Sequence, residues 1–312
     1  MKTTRGELRL ISYNIAGLPV KSLLEGRSTL RDAAEIGRQV RAAGYDLLAV
    51  QEDFSCYHRL RRALQAPYHS FNKGNVPTGD GLDIFSKRPV CNVTRVPWNE
   101  LYGGLTFGMA DEYTPKGFLH AVMQMAPGVF VDVYNLHAVA GGGSGRQRPW
   151  GEPTSVDECR RTEFEQLSAY MQAHSAGRAV IVLGDFNTVL WKACDGLAGA
   201  LIGPCGLKNT WAGDTEEKID KILYRSGRGV ELSAVEAGSL HWRNAKGRSL
   251  SDHASWTATL RYTTTGVKED GLCLREPEAM PARDKLRGYA SGFHHDAGLL
   301  RKELRSLPGK KK

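Results

Sequence analysis

The sequence predicts an α/β domain over residues 8–262, and three observations carry that expectation. Ala179-Val180-Ile181-Val182-Leu183 is an unbroken apolar run ending at Gly184, the mark of a strand buried on both faces. Residues 29–43 and 156–174 carry apolar side chains at helical spacing, with Ala33, Ile36 and Val40 in the first and Phe164, Leu167 and Met171 in the second. The other strand-like runs are interleaved with these helices rather than segregated from them.

Taken in order, Glu7 to Asn14 reads as a strand that finishes on Asn14, before a turn at Ala16-Gly17-Leu18-Pro19. The helix of residues 29–43 stops near Gly44. Asp46 to Glu52 is a second buried strand, ending on Glu52, and residues 56–65 form a short basic helix. A Gly-rich stretch, residues 73–81, leads into the strand Leu82 to Ser86, and Val90 to Val96 is another. Residues 97–116 lack periodicity; their aromatics either pack under the loop or form a functional rim. Leu119 to Met125 and Val129 to Asn135 make a hairpin about Pro127-Gly128, running on into Leu136-His137. The loop of residues 140–148 carries Arg146 and Arg148 but lacks the context of a P-loop. After the helix of 156–174 comes the strand that opens at Ala179 and ends in Gly184-Asp185-Phe186-Asn187. Residues 190–206 read as a loop or short helix, and Lys218 to Tyr224 as a strand with Asp220 within it. The last strand, Ala254 to Tyr262, is approached through Ser251-Asp252-His253. The expected division is therefore a domain of residues 1–262 and a basic, partly helical appendage of residues 263–312, joined by a linker at Thr263-Thr264-Thr265-Gly266.

Composition sets the limits. Hydrophobic residues at 41% and charged residues at 24% suit a globular protein, and no apolar run is long enough to span a bilayer. The opening residues lack the apolar segment of a secretory signal, which leaves a cytoplasmic protein, a mature secreted form or signal-independent export all open. Six cysteines without a C-x-x-C spacing argue against a zinc site. A net charge of +8 favours polyanions without choosing among nucleic acid, anionic membrane and phosphorylated small molecules. Oligomeric state is not legible.

Polar residues recur where apolar strands stop: Asn14, Glu52, His137, Asp185 with Asn187, Asp220, and Asp252 with His253. Each alone has an ordinary reading as a turn residue or a solvated strand end. Together they supply what hydrolysis of a phosphate ester with one divalent ion requires. Mg²⁺ takes one or two carboxylates and keeps several waters, a role that suits Glu52 and Asp252. The attacking water needs a base near neutral pH, and His253 suits that role with Asp220 fixing its tautomer. Asn187 and His137 are donors for charge growing on the phosphoryl oxygens. With no G-x-S-x-G motif, direct attack by water is the simpler mechanism.

Ser12-Tyr13-Asn14, Gln51-Glu52, Asn135-Leu136-His137, Gly184-Asp185-Phe186-Asn187, Ile219-Asp220 and Ser251-Asp252-His253, in this order, resemble the endonuclease/exonuclease/phosphatase superfamily. The resemblance implies a four-layered α/β sandwich, deoxyribonuclease-like, with two mixed sheets face to face and helices outside. It also implies hydrolysis of phosphate esters with Mg²⁺, for which Mn²⁺ is a substitute. Carried over, Asn14 and Glu52 fall on metal and phosphate-side positions, and Asp252 on the metal-side Asp. Asp185 falls on the position that orients the nucleophile, Asn187 on its phosphate-binding neighbour, Asp220 and His253 on the Asp–His pair, and His137 on the other active-site His.

Asp80-Gly81-Leu82-Asp83-Ile84-Phe85-Ser86-Lys87-Arg88-Pro89 and Lys116-Gly117-Phe118 resemble the neutral sphingomyelinase-type branch. That likeness implies a phospholipid head group as substrate and peripheral contact with a membrane, with Asp80 and Lys116 of its motifs as candidate substrate-binding residues; Arg146 and Arg148 of the Gly-rich loop are two further candidates. Gly-Asp-Phe-Asn departs from the more usual Gly-Asp-Thr-Asn of the microbial subgroup it fits, and no clear apolar hairpin for membrane insertion is visible. A nuclease acting on nucleic acid and an inositol polyphosphate 5-phosphatase are the alternatives; the latter lacks its Pro-x-Trp-Cys, with Thr215-Glu216-Glu217-Lys218 in its place. A binding protein that keeps the fold without catalysis is the non-enzymatic alternative, separated by Mg²⁺-dependent release of phosphate or phosphocholine.

Overall fold

A computed structural model describes residues 3–17, 28–70, 79–99, 116–141, 155–189, 196–211, 218–265 and 274–275. Its elements are β1 (Arg5–Asn14), α1 (Thr29–Ala43), β2 (Leu47–Gln51), α2 (Tyr57–Leu64), β3 (Tyr68–His69), β4 (Asp83–Ser86), β5 (Val90–Pro97), β6 (Gly117–Ala126), β7 (Val129–His137), α3 (Ser155–His174), β8 (Ala179–Asp185), β9 (Lys208–Asn209), β10 (Asp220–Arg225), β11 (Val230–Leu240) and β12 (Ser255–Thr264).

Two six-stranded sheets result, ordered β11-β12-β1-β2-β4-β3 and β5-β6-β7-β8-β10-β9. Each is mixed, with one parallel pair near its centre: β1 with β2, and β7 with β8. Strand alternation sorts side chains into layers. Leu8 and Leu10 of β1 join Ile181 and Leu183 of β8 in the core between the sheets. Ile11 and Tyr13 face Ile36 and Val40 of α1 and Leu60 of α2. Val180 and Val182 face Phe164, Leu167 and Met171 of α3. Strand β8 is therefore buried on both faces, which is why its sequence does not alternate. The four-layered sandwich is the architecture.

Local signals behave as the chemistry requires. Helix α1 ends at Gly44, whose φ of 79° lets its N–H reach the carbonyls of Val40 and Arg41. Three local expectations need correction. Thr263 and Thr264 are not linker but the last residues of β12, paired with Arg5 and Val230. The strand that holds Asp220 starts at that residue and not at Lys218. The sequence reading assigned nothing to residues 230–240, where β11 runs along the sheet edge. A register shift between Ala234 and Glu236 breaks its two-residue period, which hides the strand from pattern reading. The loop aromatics Tyr102, Phe107 and Tyr113, Arg146 with Arg148, and almost all of the appendage lie outside the described residues.

Gly184 illustrates how tightly the site end of β8 is built. A Cβ there would lie 2.3 Å from the carbonyl oxygen of Leu136, on the neighbouring parallel strand. Gly184→Ala is expected to lower unfolding stability by about 1–3 kcal/mol in a denaturant titration, because backbone must move to admit the methyl. It is also expected to reduce activity by displacing Asp185. A stability within error of the parent protein would contradict this packing.

Candidate active site

The candidate side chains gather at one seam, where corresponding ends of the two sheets meet. β1 ends at Asn14 and β2 at Gln51, just before Glu52; β7 ends at His137 and β8 at Asp185. Antiparallel strands deliver the rest from their starts. Asp220 lies directly opposite Asp185 in the β8–β10 ladder, and Ser251-Asp252-His253 leads into β12, which runs antiparallel to β1.

Asn14 is fully buried and joins the sheets: its Nδ2 donates to Glu52 Oε1 at 3.0 Å and to Asp185 Oδ2 at 3.0 Å. Its Oδ1 accepts the Ala16 N–H at 3.0 Å, which fixes the direction of the amide. Ser251 Oγ donates to the Asn14 carbonyl at 2.7 Å and ties the Asp252-His253 segment to the same strand end. Asp185 Oδ1 accepts the Asn187 N–H at 3.0 Å, while His137 Nε2 stands 3.4 Å from its Oδ2. Asn187 and Lys116 both donate to the carbonyl of Ala138, at 2.9 and 3.4 Å. Glu52 and Asn187 hold left-handed backbone, with φ of 55° and 50°. Asn accepts this conformation readily; for Glu it is local strain of the kind that persists at functional sites.

His253 Nδ1 lies 2.9 Å from Asp220 Oδ2, and its other nitrogen lies 3.9 Å from Asp185 Oδ2. Asp185, Asp220 and His253 thus place ligand-capable atoms within 4.8 Å of one another. Their charges are mutually dependent. Burial opposes the charge on His253, but the Asp220 hydrogen bond and the carboxylates of Asp185, Asp220 and Asp252 override it and push its pKa up to about 10. Burial, and then the charge of Asp185, push Asp220 up to about 6 against the pull of His253. Asp185 also resists ionisation through burial, yet His253, His137 and the Asn14 hydrogen bond hold its pKa below the usual carboxylate value. These directions favour an imidazolium held between carboxylates.

Asp252 is exposed and lines a cleft of about 270 Å³ beside this array, with Lys218, Ser239, His241 and Trp256. Ser239 belongs to β11 and His241 follows it, so both escaped the sequence reading with that strand. Asp80 is engaged elsewhere: its Oδ1 accepts Arg95 Nη1 at 2.6 Å and the Leu82 N–H at 3.0 Å. No hydrogen bond or ion pair among the described residues joins Asp80 to the seam.

The charge state carries a pH signature. Because the folded pKa of His253 lies above its free value of 6.5, its stabilising contribution is complete below that value and is lost as pH rises towards about 10. NMR titration of the metal-free protein should find the His253 ring still protonated at pH 8. A midpoint at or below 6.5 would contradict the assigned array.

A family model described as the Endonuclease/Exonuclease/phosphatase family matches residues 11–253. Curated sphingomyelinases of Mycobacterium bovis and Mycobacterium tuberculosis are 32% identical to this chain over 290 residues, covering 85% of it and 55% of their own length. The chain thus spans about half the length of the curated relatives it matches. Among solved structures, a beta toxin variant from Staphylococcus aureus with bound magnesium ions superposes with a TM-score of 0.58 at 16% identity, covering 81% of this chain and 99% of that one. D. rerio TDP2 complexed with single strand DNA product gives 0.57 at 18% identity, covering 82% and 99%. Likeness at these identities speaks to the fold alone.

Proposed function

The chain belongs to the endonuclease/exonuclease/phosphatase family, and on that premise we propose that it is a metal-dependent phosphodiesterase that cleaves a phospholipid head-group ester by direct attack of water. The observation that carries the chemistry is the spacing of Asp220, His253 and Asp185 beside the Asn14–Glu52 pair. The observation that favours a lipid substrate is the 32% identity to sphingomyelinases.

The donor set suits a hard divalent cation. Glu52 and Asp185 converge on one amide, and Asp185 and Asp220 face each other closely enough to raise the latter's pKa. Asp220 Oδ1 is also buried without a hydrogen-bond donor among the described residues. Such an excess of oxygen charge is what Mg²⁺ or Mn²⁺ compensates. Glu52 and Asp252 are the proposed carboxylate ligands; Asn14, whose Nδ2 faces Glu52 while its Oδ1 holds the Ala16 N–H, would join them only with its amide turned round. A bound ion would supply Lewis-acid polarisation of a phosphoryl oxygen.

The chain's own residues then divide the remaining work. The 3.9 Å gap between His253 Nε2 and Asp185 Oδ2 lets one water sit about 2.8 Å from both. Asp185, kept ionised, orients that water and accepts its proton as the water oxygen bonds to phosphorus, while the ester bond breaks and the departing alcohol oxygen takes a proton from solvent. His253, already cationic, presents an N–H to the charge developing on the phosphoryl group, and Asp220 holds its ring in place. The sequence reading made His253 the base; we propose Asp185 for that step instead, because the carboxylates around His253 favour its cationic form. Asn187, His137 and Lys116, gathered about the Ala138 carbonyl and Asp185, are the proposed donors to the phosphoryl oxygens. Arg146 and Arg148 are carried as substrate-binding residues on sequence grounds alone.

A nuclease is the second reading, favoured by the +8 charge and by a DNA-bound relative in fold. The deciding assay offers sphingomyelin, lysophospholipid and plasmid DNA with Mg²⁺, with Mn²⁺ and after exhaustive chelation. Metal-dependent release of phosphocholine or a related head group is expected. Plasmid nicking without lipid hydrolysis would transfer the assignment to the nuclease, and full activity after chelation would remove the metal from the mechanism.

His253→Ala is expected to lower turnover by about 10²–10³-fold while leaving the fold intact, the loss of one donor to developing charge. Asp220→Asn should be comparably severe, since an amide can select the wrong ring orientation and tautomer. In a double-mutant cycle on turnover the two losses should fall well short of multiplying, because both residues serve one array. Fully multiplicative losses would dissolve the pair.

A further inference from the structure

Charge is divided unevenly between the two outer helix layers. The layer over the first sheet carries Arg31, Arg38 and Arg41 on α1 and Arg59, Arg61 and Arg62 on α2, against only Asp32 and Glu35. Both of those carboxylates are already paired, with Arg248 and Arg38. Helix α3, over the other sheet, has the opposite balance: Asp157, Glu158, Glu163 and Glu165 against Arg160 and Arg161.

Within the basic layer α2 is the extreme case. Its eight residues contain three arginines and no carboxylate. Tyr57, Leu60 and Leu64 anchor one face in the core, so His58, Arg59, Arg61 and Arg62 are held outward on a rigid support. They line an open cavity of about 610 Å³ together with Gln65 and Ala66. Arg59 and Arg62 lie one turn apart on the same face, and among the described residues neither has an ion-pair or hydrogen-bond partner. Like charges at this spacing destabilise a helix, and an anion placed between them relieves that repulsion. Tyr68, exposed just beyond the helix, adds an aromatic of the kind that settles at head-group level.

We propose that the outer face of α2 is a docking surface for anionic lipid head groups, with Arg59 and Arg62 as its principal contacts. The proposal deepens the lipid reading above and names the surface on which the protein works. A planar partner fits better than a nucleic acid strand. The charge is spread over an outer helix layer, whereas the cleft beside His253 mixes Lys218 and His241 with Asp220 and Asp252 and offers no basic track into the site. The start of α2 follows shortly after Glu52, so this layer borders the end of the molecule at which the site opens.

Co-sedimentation of the metal-free protein with phosphatidylcholine vesicles, with and without phosphatidylglycerol, tests the proposal at low and high salt. Binding is expected only to vesicles containing phosphatidylglycerol and should weaken as salt rises. Arg59→Ala/Arg62→Ala should lower the partition coefficient roughly thirty-fold, at about five-fold per arginine near a charged bilayer. Arg59→Lys/Arg62→Lys should retain most of the binding. Thermal melting should not fall, and turnover of bis(p-nitrophenyl) phosphate should not change, in either variant. Equal partition of the alanine variant and the parent protein, or salt-independent binding, would overturn the proposal. So would tighter retention of a single-stranded oligonucleotide than of vesicles, lost in the same alanine variant. These vesicles contain no sphingomyelin and binding is read without metal, so failure here and failure of the hydrolase assignment are separable results.

Discussion

One side-chain hydrogen bond, from Gln51 Nε2 to Asn135 Oδ1 at 2.6 Å, crosses the interior between the two sheets, and the geometry of the site rests on it. The surrounding layer is apolar, and apolar packing alone is non-directional. Asn135 adds direction: its Nδ2 donates to the carbonyls of Val50 at 2.8 Å and Asp83 at 2.9 Å, which fastens β7 to two strands of the opposite sheet. Gln51 also reaches Ser12 Oγ at 3.3 Å. Glu52 is the residue after Gln51, and His137 stands two beyond Asn135. A slip of one sheet over the other would leave buried polar groups unpaired, at a cost of about 1–3 kcal/mol each. The seam above therefore inherits its precision from the polar pins below it.

Above the pins, the sheets contribute opposed charges to one small volume. Asp185 brings a carboxylate from the second sheet to the Asn14 amide of the first, and His253 comes from the first sheet to Asp220 of the second. Both pairs cross the seam. The site is thus not a decoration on either sheet; it exists only when the two are docked. Its electrostatic tension, with Asp220 pushed up by burial and then by its neighbour Asp185, is the sort of local cost that a stable scaffold tolerates at such a site.

The parts legible in the sequence were those that repeat with a short period or sit at an abrupt end. Strand β8 announced itself by an unbroken apolar run, and Asn14, Glu52, His137 and Asp185 stood out because each interrupts such a run. Helix α1 declared its stop at Gly44. What escaped had a physical reason. The bulge in β11 breaks the two-residue period, and with that strand went Ser239 and His241 of the cleft. The expectation that functional groups lie at strand carboxyl ends holds for parallel neighbours; antiparallel β10 and β12 bring theirs from the start, so Asp220 was placed mid-strand. The charge on His253 depends on carboxylates up to dozens of residues away in the chain, and no local pattern encodes it.

The pairing of β1 with β12 has a temporal side. Arg5 pairs with Thr263 and Ser12 with Trp256, so the middle of the first sheet is closed by the two strands most distant in the domain's sequence. During synthesis β1 must wait, one edge bare, until nearly the whole domain has left the ribosome. Contacts this remote make for slow folding, since the loop must close before any pairing rewards it. They also act as a proofreading step: His253 arrives on the segment that leads into β12, so an incompletely made or prematurely cut domain lacks both the closing strand and the ring that completes the array. Partial products of this chain would be exposed at a sheet edge, and catalytically silent.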